Sequence, residues 1–157
     1  MTDEQLMQLA LQQAQLAADE GEVPVGCVVA LGGAVVAQAH NRRENDKNAT
    51  AHAELLAIDQ ACKALGGWRL WQCDLFVTLE PCPMCAGAII NSRIRRLVYA
   101  AADPKAGCCT SVVNLFALPF NHRPIVESGL MQAESSALLR AFFQRLRQPP
   151  QQEETHG

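Results

Sequence analysis

The sequence is poor in aromatic residues and in charge, and it contains no long uncharged apolar run. Aromatic residues make up 5% of the 157 residues and charged residues 18%, whereas hydrophobic residues make up 49%. This composition excludes a globally disordered chain, because such chains combine high charge with low hydrophobicity. Without an uncharged apolar stretch of about 18 residues, we expect no transmembrane helix. A chain of this length is expected to form one domain with a sizeable buried core.

The N-terminus also lacks the basic segment and the apolar segment of a secretory signal. We therefore expect a cytoplasmic protein, in which thiols stay reduced. The seven cysteines are accordingly predicted to be buried or metal-binding rather than disulfide-bonded. A net charge of −3 argues against a general polyanion-binding protein, which is usually basic overall, but it permits a local basic patch.

The hydrophobic pattern predicts alternating strands and helices. Thr2 and Gln5 have the spacing of a capping box, Gly32-Gly33 separates two β-rich runs as a hairpin turn would, and Thr50 is expected to cap a helix. The order predicts one α/β domain over 1–148 with helices on both faces of a mixed sheet, and a flexible tail over 149–157. The predicted elements are a helix from Thr2 to before Asp19, strands over 25–31 and 34–39, a helix over 50–65, a strand over 75–79, a helix from Pro83, strands over 97–101 and 125–126, and a helix over 130–147.

Two short motifs carry the candidate chemistry. Cys82 and Cys85 have C-x-x-C spacing at a predicted helix start, where both sulfurs can reach one metal ion and unpaired N–H groups lower the thiol pKa. His52, near the start of the preceding predicted helix, would complete a set of one histidine and two cysteines. Three protein ligands with an open fourth position are typical of a catalytic zinc site, whereas structural zinc sites usually have four.

Glu54 follows His52 by two residues, so its carboxylate can reach the same site without binding the metal. Beside a zinc-activated water it could accept a proton and pass it to a leaving group. Each half of the pattern is by itself unspecific, because C-x-x-C also occurs in redox motifs and in four-ligand zinc sites. The combination H-x-E … P-C-x-x-C is the signature of zinc-dependent nucleobase deaminases, and it predicts a hydrolytic zinc enzyme.

Five further cysteines fall outside these motifs. Cysteine in a strand or helix behaves as a small apolar residue, and two adjacent cysteines have poor geometry for binding one zinc ion together. We interpret all five as core or loop thiols, with a redox or regulatory role of the adjacent pair as the alternative: Cys27, Cys62, Cys73, and the pair Cys108 and Cys109.

Nearly the whole chain resembles the bacterial tRNA-specific adenosine deaminases, which convert wobble adenosine to inosine. Beyond the two motifs, matching segments lie at 22–26, 41–42, 50–54, 75–88, 92–94, 121–123 and 137–145, and at positions 103, 105 and 107. Two positions depart from the family pattern. Ala102 stands where many members carry a basic residue, and Asn114 stands where an acidic residue is familiar.

The resemblance implies a three-layer α/β/α cytidine deaminase-like fold with a central mixed five-stranded sheet, and a homodimer with one Zn²⁺ per subunit. It implies that His52, Cys82 and Cys85 bind zinc, and that Glu54 is the catalytic proton carrier in zinc-hydroxide hydrolytic deamination. The amide of Asn41 matches a family position that hydrogen-bonds the flipped base. The other residues expected to shape the base pocket are Pro24, Val25 and Ala53.

A wobble base is already unpaired in its anticodon loop, so it costs less to extrude than a duplex base. The expected partner is therefore a tRNA anticodon stem-loop, with an arginine tRNA as the expected substrate, held by a local basic rim. Phe142 is a candidate for base stacking, and a core position on its helix is the alternative. The other residues expected to contact RNA are Asp103, Lys105, Arg123 and Arg145, with Arg42, Arg43 and Arg147 as further candidates.

Two other functions remain open from the sequence. The zinc chemistry also fits a deaminase of a free base or nucleotide, such as guanine, cytosine or deoxycytidylate. The same residues could instead form a noncatalytic, zinc-stabilised RNA-binding module. Turnover of free compounds would favour the first alternative, and an absence of any deaminase activity would favour the second.

Overall fold

Five strands form one mixed sheet in the computed structural model, which describes residues 1–148. The strands are β1 (Gly26–Leu31), β2 (Ala34–His40), β3 (Cys73–Leu79), β4 (Arg96–Ala101) and β5 (Ile125–Ser128). They lie in the spatial order β2-β1-β3-β4-β5. β1 is antiparallel to both β2 and β3, whereas β3, β4 and β5 are parallel. This arrangement confirms the predicted mixed five-stranded sheet.

Within the described residues, four α-helices cover the two faces of the sheet: α1 (Asp3–Asp19), α2 (Ala53–Leu65), α3 (Pro83–Asn91) and α4 (Gln132–Arg147). α1 and α4 lie on one face, where Leu6 packs with Phe76. α2 and α3 lie on the other, where Ala57 and Ile89 pack with Leu75. Successive residues of a strand point to opposite faces, so neighbouring residues of β3 contribute to different cores. The predicted α/β/α layering is confirmed.

Local sequence signals account for the first elements. Thr2 Oγ1 accepts a hydrogen bond from the Gln5 N–H at 3.2 Å, and Gln5 Oε1 accepts one from the Thr2 N–H at 2.9 Å, which confirms the capping box. Gly32 and Gly33 have φ angles of 58° and 79°, as a tight hairpin turn requires. Gly26 lies so close to α1 that a β-carbon there would overlap the helix backbone. Glycine at this position therefore allows α1 to pack directly on β1.

The predicted cap of α2 was wrong by two residues. His52, not Thr50, is the residue immediately before the helix. The Thr50 hydroxyl and N–H instead donate to Asn48 Oδ1 at 2.8 and 2.9 Å, so the threonine closes a turn and is not available as a cap. This shift moves His52 from inside the helix to its N-cap position.

The hydrophobic pattern of the sequence predicts an apolar stripe on α4, and this stripe is only partly buried. Its residues are Leu138, Leu139, Phe142, Phe143 and Leu146. Phe142 is 6% exposed, whereas Phe143 and Leu146 are 40% and 64% exposed. α4 begins at Gln132, two residues later than predicted, after Met131 with a positive φ of 57°. The predicted tail over 149–157 lies outside the described residues. No helix within 1–148 is long and apolar enough to cross a membrane.

All seven cysteines are free thiols. Four of the five that lie outside the C-x-x-C motif are buried, and Cys62 is half-buried. Cys73 is the first residue of β3 rather than a residue preceding it. These positions confirm the interpretation as core or loop thiols: Cys27, Cys62, Cys73, Cys108 and Cys109.

Candidate active site

The first turns of α2 and α3 meet beside the end of β3. His52 is the N-cap residue of α2 and Cys82 is the N-cap residue of α3, and neither side chain makes a capping hydrogen bond. Pro83 occupies the first turn of α3, where its missing N–H is not needed. The structure thus brings together the two motifs, which are 30 residues apart in the sequence.

The three predicted ligand side chains converge on one point. His52 Nδ1 lies 3.6 Å from Cys82 Sγ and 3.5 Å from Cys85 Sγ, and all three ligand atoms lie within 4.8 Å of one another. A tetrahedral zinc ion with Zn–N of about 2.0 Å and Zn–S of about 2.3 Å would hold nitrogen and sulfur about 3.5 Å apart. The spacing and the donor types therefore fit a metal ion bound by one histidine and two cysteines.

The protein environment favours a thiolate at this cluster. A hydrogen bond from Cys85 lowers the pKa of Cys82 to about 4; burial opposes this effect, and a further hydrogen bond from His52 adds to it. The same contact with Cys82 raises the pKa of His52. Thiolate is the form of cysteine that binds metals.

Glu54 lies in the first turn of α2 and is 4% exposed. Burial raises the pKa of its carboxyl group, because the charged form loses its hydration there. A carboxyl group with a raised pKa takes up a proton more readily than an exposed one, as a group that carries protons during a reaction must. Glu54 lines the same cavity as His52 and Cys82.

The cavity in front of this cluster has a volume of about 190 Å³. Asn41 is 6% exposed at its wall, and its Oδ1 has no hydrogen-bond partner within residues 1–148. A buried polar atom without a partner is costly, so this oxygen is suited to a donor supplied by a ligand. The residues lining the cavity are Val23, Val25, Asn41, Arg43, His52, Ala53, Glu54, Leu79, Glu80, Cys82, Asp103 and Ala106.

The predicted substrate-binding residues fall into two groups. Four of them line the cavity: Val25, Asn41, Ala53 and Asp103. Pro24 is buried between Val23 and Val25 in the chain but does not line the cavity. Phe142 lies in an adjacent depression of about 420 Å³, which shares Val23, Asn41 and Arg43 with the cavity.

The remaining predicted RNA contacts, except for Arg43, do not line the cavity. Lys105 is exposed. It lies near the rim of the cavity, since its neighbours Asp103 and Ala106 in the same loop line the cavity. Arg123 lies in a separate depression, and Arg145 is exposed on α4. Arg42 pairs with Glu20 and Asp46, both at 3.1 Å, whereas its neighbour Arg43 lines the cavity.

The two departures from the family pattern have ordinary local environments. Ala102 is exposed directly after β4. The Asn114 side chain accepts a hydrogen bond from the Phe116 N–H at 3.1 Å and caps a short 3₁₀ helix (Leu115–Ala117). An asparagine in place of an acidic residue therefore has a capping role here.

Sequence reasoning assigned no role to two buried carboxylates beside the cavity. Glu22 is 1% exposed and accepts hydrogen bonds from the N–H groups of Glu44 and Asn45. Glu80 is 2% exposed and accepts from the loop that contains Asp103. Burial alone would raise the pKa of Glu80, but hydrogen bonds led by those from Ser111 outweigh it and lower the pKa. The sequence feature that could have indicated Glu22 and Glu80 is their position, since each is an acidic residue beside an otherwise apolar segment.

Comparisons with known proteins agree with this geometry. The MafB19-like deaminase family matches residues 1–147. A tRNA-specific adenosine deaminase of Bacillus subtilis (strain 168) is 49% identical over 146 residues, which are 92% of this chain and 91% of that protein. A relative with the same name from Agrobacterium fabrum is 50% identical over 142 residues, covering 90% and 93% of the two chains.

A solved structure from studies of A-to-I editing by tRNA:A34 deaminases at the wobble position of transfer RNA has a TM-score of 0.84 and 49% identity. The match covers 86% of this chain and 99% of that one. A guanine deaminase structure from Bacillus subtilis has a lower TM-score of 0.65 and 31% identity, and covers 98% and 99% of the two chains. This chain therefore belongs to the MafB19-like deaminase family, as a member of the tRNA-specific adenosine deaminases.

Proposed function

We propose that this protein converts the wobble adenosine of a tRNA to inosine, by hydrolysis at a zinc ion bound by His52, Cys82 and Cys85. The convergence of these three side chains beside the buried Glu54, at the wall of one small cavity, is the observation that carries the proposal. When bound there, zinc would activate a water molecule for attack at neutral pH.

In the proposed reaction, Glu54 moves the protons. Its carboxylate takes a proton from the attacking water and passes it to N1 of the adenine as the new bond to C6 forms. The carboxylate then takes the remaining water proton from the new hydroxyl group on C6 and passes it to the amino group. The C6–N bond breaks, ammonia leaves, C6 becomes a carbonyl carbon, and the base is then hypoxanthine. The raised pKa of Glu54 supports this role, because burial makes the protonated form of this carboxyl group easier to reach during the reaction.

The cavity selects what enters. A volume of about 190 Å³ is below the range of about 300–1,000 Å³ typical of drug-sized ligand pockets, so it suits one base rather than a whole nucleotide. Val25 and Leu79 offer apolar contact to the ring. Asn41 Oδ1 would accept a hydrogen bond from the bound nucleoside and so gain the partner it lacks within 1–148.

The proposed partner is a tRNA anticodon stem-loop, and an arginine tRNA is the proposed substrate. Arg43 at the cavity wall and the exposed Lys105 near its rim are the cations that support this choice. Arg145 on α4 and Arg123 extend the proposed contact surface farther from the cavity. The homodimer, the zinc stoichiometry of one per subunit and the cytoplasmic location stay predictions of the sequence.

The deciding experiment is incubation of the purified protein with an anticodon stem-loop that carries adenosine at the wobble position. Nucleoside analysis should show inosine, and a stem-loop with guanosine there should yield no product. The likeness to a guanine deaminase makes free guanine the natural competing substrate. Rapid ammonia release from guanine, with no inosine in the RNA, would replace this proposal by a free-base deaminase.

A further inference from the structure

Glu80 is the first residue after β3, and its carboxylate is the centre of a loop that follows β4. Oε1 accepts hydrogen bonds from the Asp103 N–H at 3.1 Å and from the Ser111 hydroxyl. Oε2 accepts three backbone N–H groups, from Cys109, Thr110 and Ser111, at 3.0, 2.8 and 3.0 Å. Five donors on one carboxylate fix both ends of the segment 103–111.

The loop also fits closely around this carboxylate. A β-carbon at Gly107 would overlap the Glu80 carboxyl group, so the middle of the loop can approach it because residue 107 has no side chain. The Cys108 N–H donates to the Pro81 carbonyl at 2.9 Å. Asp103 Oδ1 accepts from the N–H groups of Lys105 and Ala106, which closes the first turn of the loop.

This loop forms one wall of the cavity. Asp103 and Ala106 line it, together with residues that come from the first turn of α2. Glu80 precedes Cys82 by two residues, so the segment that holds the loop continues directly into the proposed metal-binding segment. The hydrogen bonds of Glu80 therefore link the position of one cavity wall to the position of the reaction centre.

We propose that Glu80 is a positioning residue, which holds the loop 103–111 at the distance from the reaction centre that the flipped base requires. The proposal rests on the proposed function for its substrate, and on the five hydrogen bonds and the contact with Gly107 for its mechanism. Without these hydrogen bonds the loop 103–111 would no longer be held in one position. Binding of the base would then have to order the loop first, which weakens binding.

The test begins with Glu80→Gln, which keeps the size of the side chain but replaces one accepting oxygen by an NH₂ group. At least one of the N–H donors then faces another donor. The KM for the stem-loop should rise about tenfold, as expected for a loss of roughly 1.4 kcal/mol of binding. Metal content should stay unchanged, and amide hydrogen exchange should accelerate in 103–111.

Gly107→Ala changes the same contact from the loop side. It should raise KM in the same direction, and the double variant should cost less than the product of the two single effects. Asp74→Asn is the matched control, because Asp74 is a carboxylate near the opposite end of the same strand and is paired with Arg95 and Arg96. This control should lower stability while leaving KM unchanged.

Each outcome has a distinct meaning. An unchanged KM in both Glu80→Gln and Gly107→Ala, despite faster exchange in the loop, would show that the loop position does not matter for binding. Loss of metal in Glu80→Gln would place the effect on the metal site and also overturn the proposal. If Glu80→Gln does not fold, Ser111→Ala removes one hydrogen bond at an exposed position and should raise KM roughly twofold to threefold; an unchanged KM there contradicts the proposal. If the wild-type protein forms no inosine, the proposed function fails by itself, and stem-loop affinity replaces KM as the readout for the loop.

Discussion

The Nδ1 atom of His52 lies 3.5 Å from the sulfur of Cys85, although 33 residues separate them in the chain. This contact joins the N-terminal ends of α2 and α3. A metal ion in this position would cross-link the two helices as well as activate water. The same residues would then affect both the stability and the activity of the protein.

We expect Cys85→Ser to lose the bound metal, because a serine hydroxyl is a much weaker ligand than a thiolate. Metal analysis after dialysis should fall from one ion per chain to near zero, and the melting temperature should fall by about 5 °C or more. Cys62→Ser is the matched control, since Cys62 is a half-buried thiol outside the cluster. The Cys62→Ser protein should keep its bound metal. Stoichiometric metal in Cys85→Ser would refute the ligand assignment.

We expect Glu54→Gln to abolish deamination while retaining the metal and the RNA. Glutamine keeps the shape of the side chain but cannot carry the proton, and such a loss typically lowers the rate about 10²–10⁴-fold. Single-turnover inosine formation measures the rate, and stem-loop affinity should change by less than about twofold. A variant that binds RNA ten times more weakly would show that Glu54 acts mainly in binding.

We expect Asn41→Ala to separate stability from activity. Asn41 Oδ1 is buried without a partner within the described residues, so its removal relieves a desolvation cost. The free energy of unfolding should change by less than about 1 kcal/mol, whereas kcat/KM for the stem-loop should fall by about tenfold or more. Urea unfolding and steady-state kinetics on the same preparation check both values. A large loss of stability with unchanged kinetics would assign Asn41 to the core instead.

Glu22 should make the protein sensitive to acid. Burial opposes the charged form, but hydrogen bonds from the backbone and side chain of Asn45 and from the Glu44 N–H prevail and hold the pKa of Glu22 below its ordinary value of 4.5. A lowered pKa in the folded state adds stability above about pH 4.5, and this stability is lost as the pH falls through the folded value. The ionisation of Glu22 therefore makes the folded state less stable as the pH falls, which favours acid unfolding.

The variant Glu22→Gln tests this directly. At pH 7 it should cost about 1–3 kcal/mol, because N–H donors lose a charged acceptor. The difference from wild type should shrink progressively as the pH falls from about 4.5 through the folded pKa, because the unfolded carboxyl group takes up its proton first and the folded one follows. Urea titrations at several pH values measure both. A difference that is constant between pH 7 and pH 3 would mean that packing, not ionisation, explains the cost.

The sequence predicted most of the elements and singled out the two candidate motifs because each of these depends on local chemistry. Capping boxes, glycine turns and C-x-x-C spacing act over a few residues, so Thr2, Gly32 and Cys82 could be interpreted without the fold. The start of α2 was misplaced because two signals compete there. The turn at Asn48 uses the Thr50 hydroxyl that a cap would need.

The supporting carboxylates could not be predicted in the same way. Glu80 acts through backbone N–H groups 23 to 31 residues later, and no side-chain identity in that loop marks the contact except Gly107 and Ser111. The exposure of Phe143 was also missed, because a helical apolar stripe does not reveal how much of the sheet remains for it to cover. Contacts between distant segments decide both features.

The Arg96 guanidinium joins α1, β3 and β5 at the end of the sheet opposite the cavity. Arg96 begins β4, and its guanidinium donates to Asp3 of α1 at 2.7 Å, to Asp74 of β3 at 3.1 Å and to Glu127 of β5 at 3.1 Å. Its side chain is 15% exposed. Neighbouring Arg95 is 49% exposed and pairs with Asp74. The two arginines therefore have adjacent positions and a shared partner but different burial.

We expect Arg96→Met to lower the free energy of unfolding by about 2 kcal/mol, between the values for exposed and buried ion pairs, because it leaves Asp3 and Asp74 without their common donor. Arg95→Met should cost at most about 1 kcal/mol, since its pair with Asp74 is largely hydrated. The effect of Arg96→Met should be smaller when Asp3 is already replaced by asparagine, because one of the lost interactions is then absent from both proteins. Urea unfolding of the wild type and these variants in low and high salt measures the differences. Equal losses for Arg95→Met and Arg96→Met would show that burial does not strengthen the Arg96 network, and that α1 is held on the sheet by its apolar face alone.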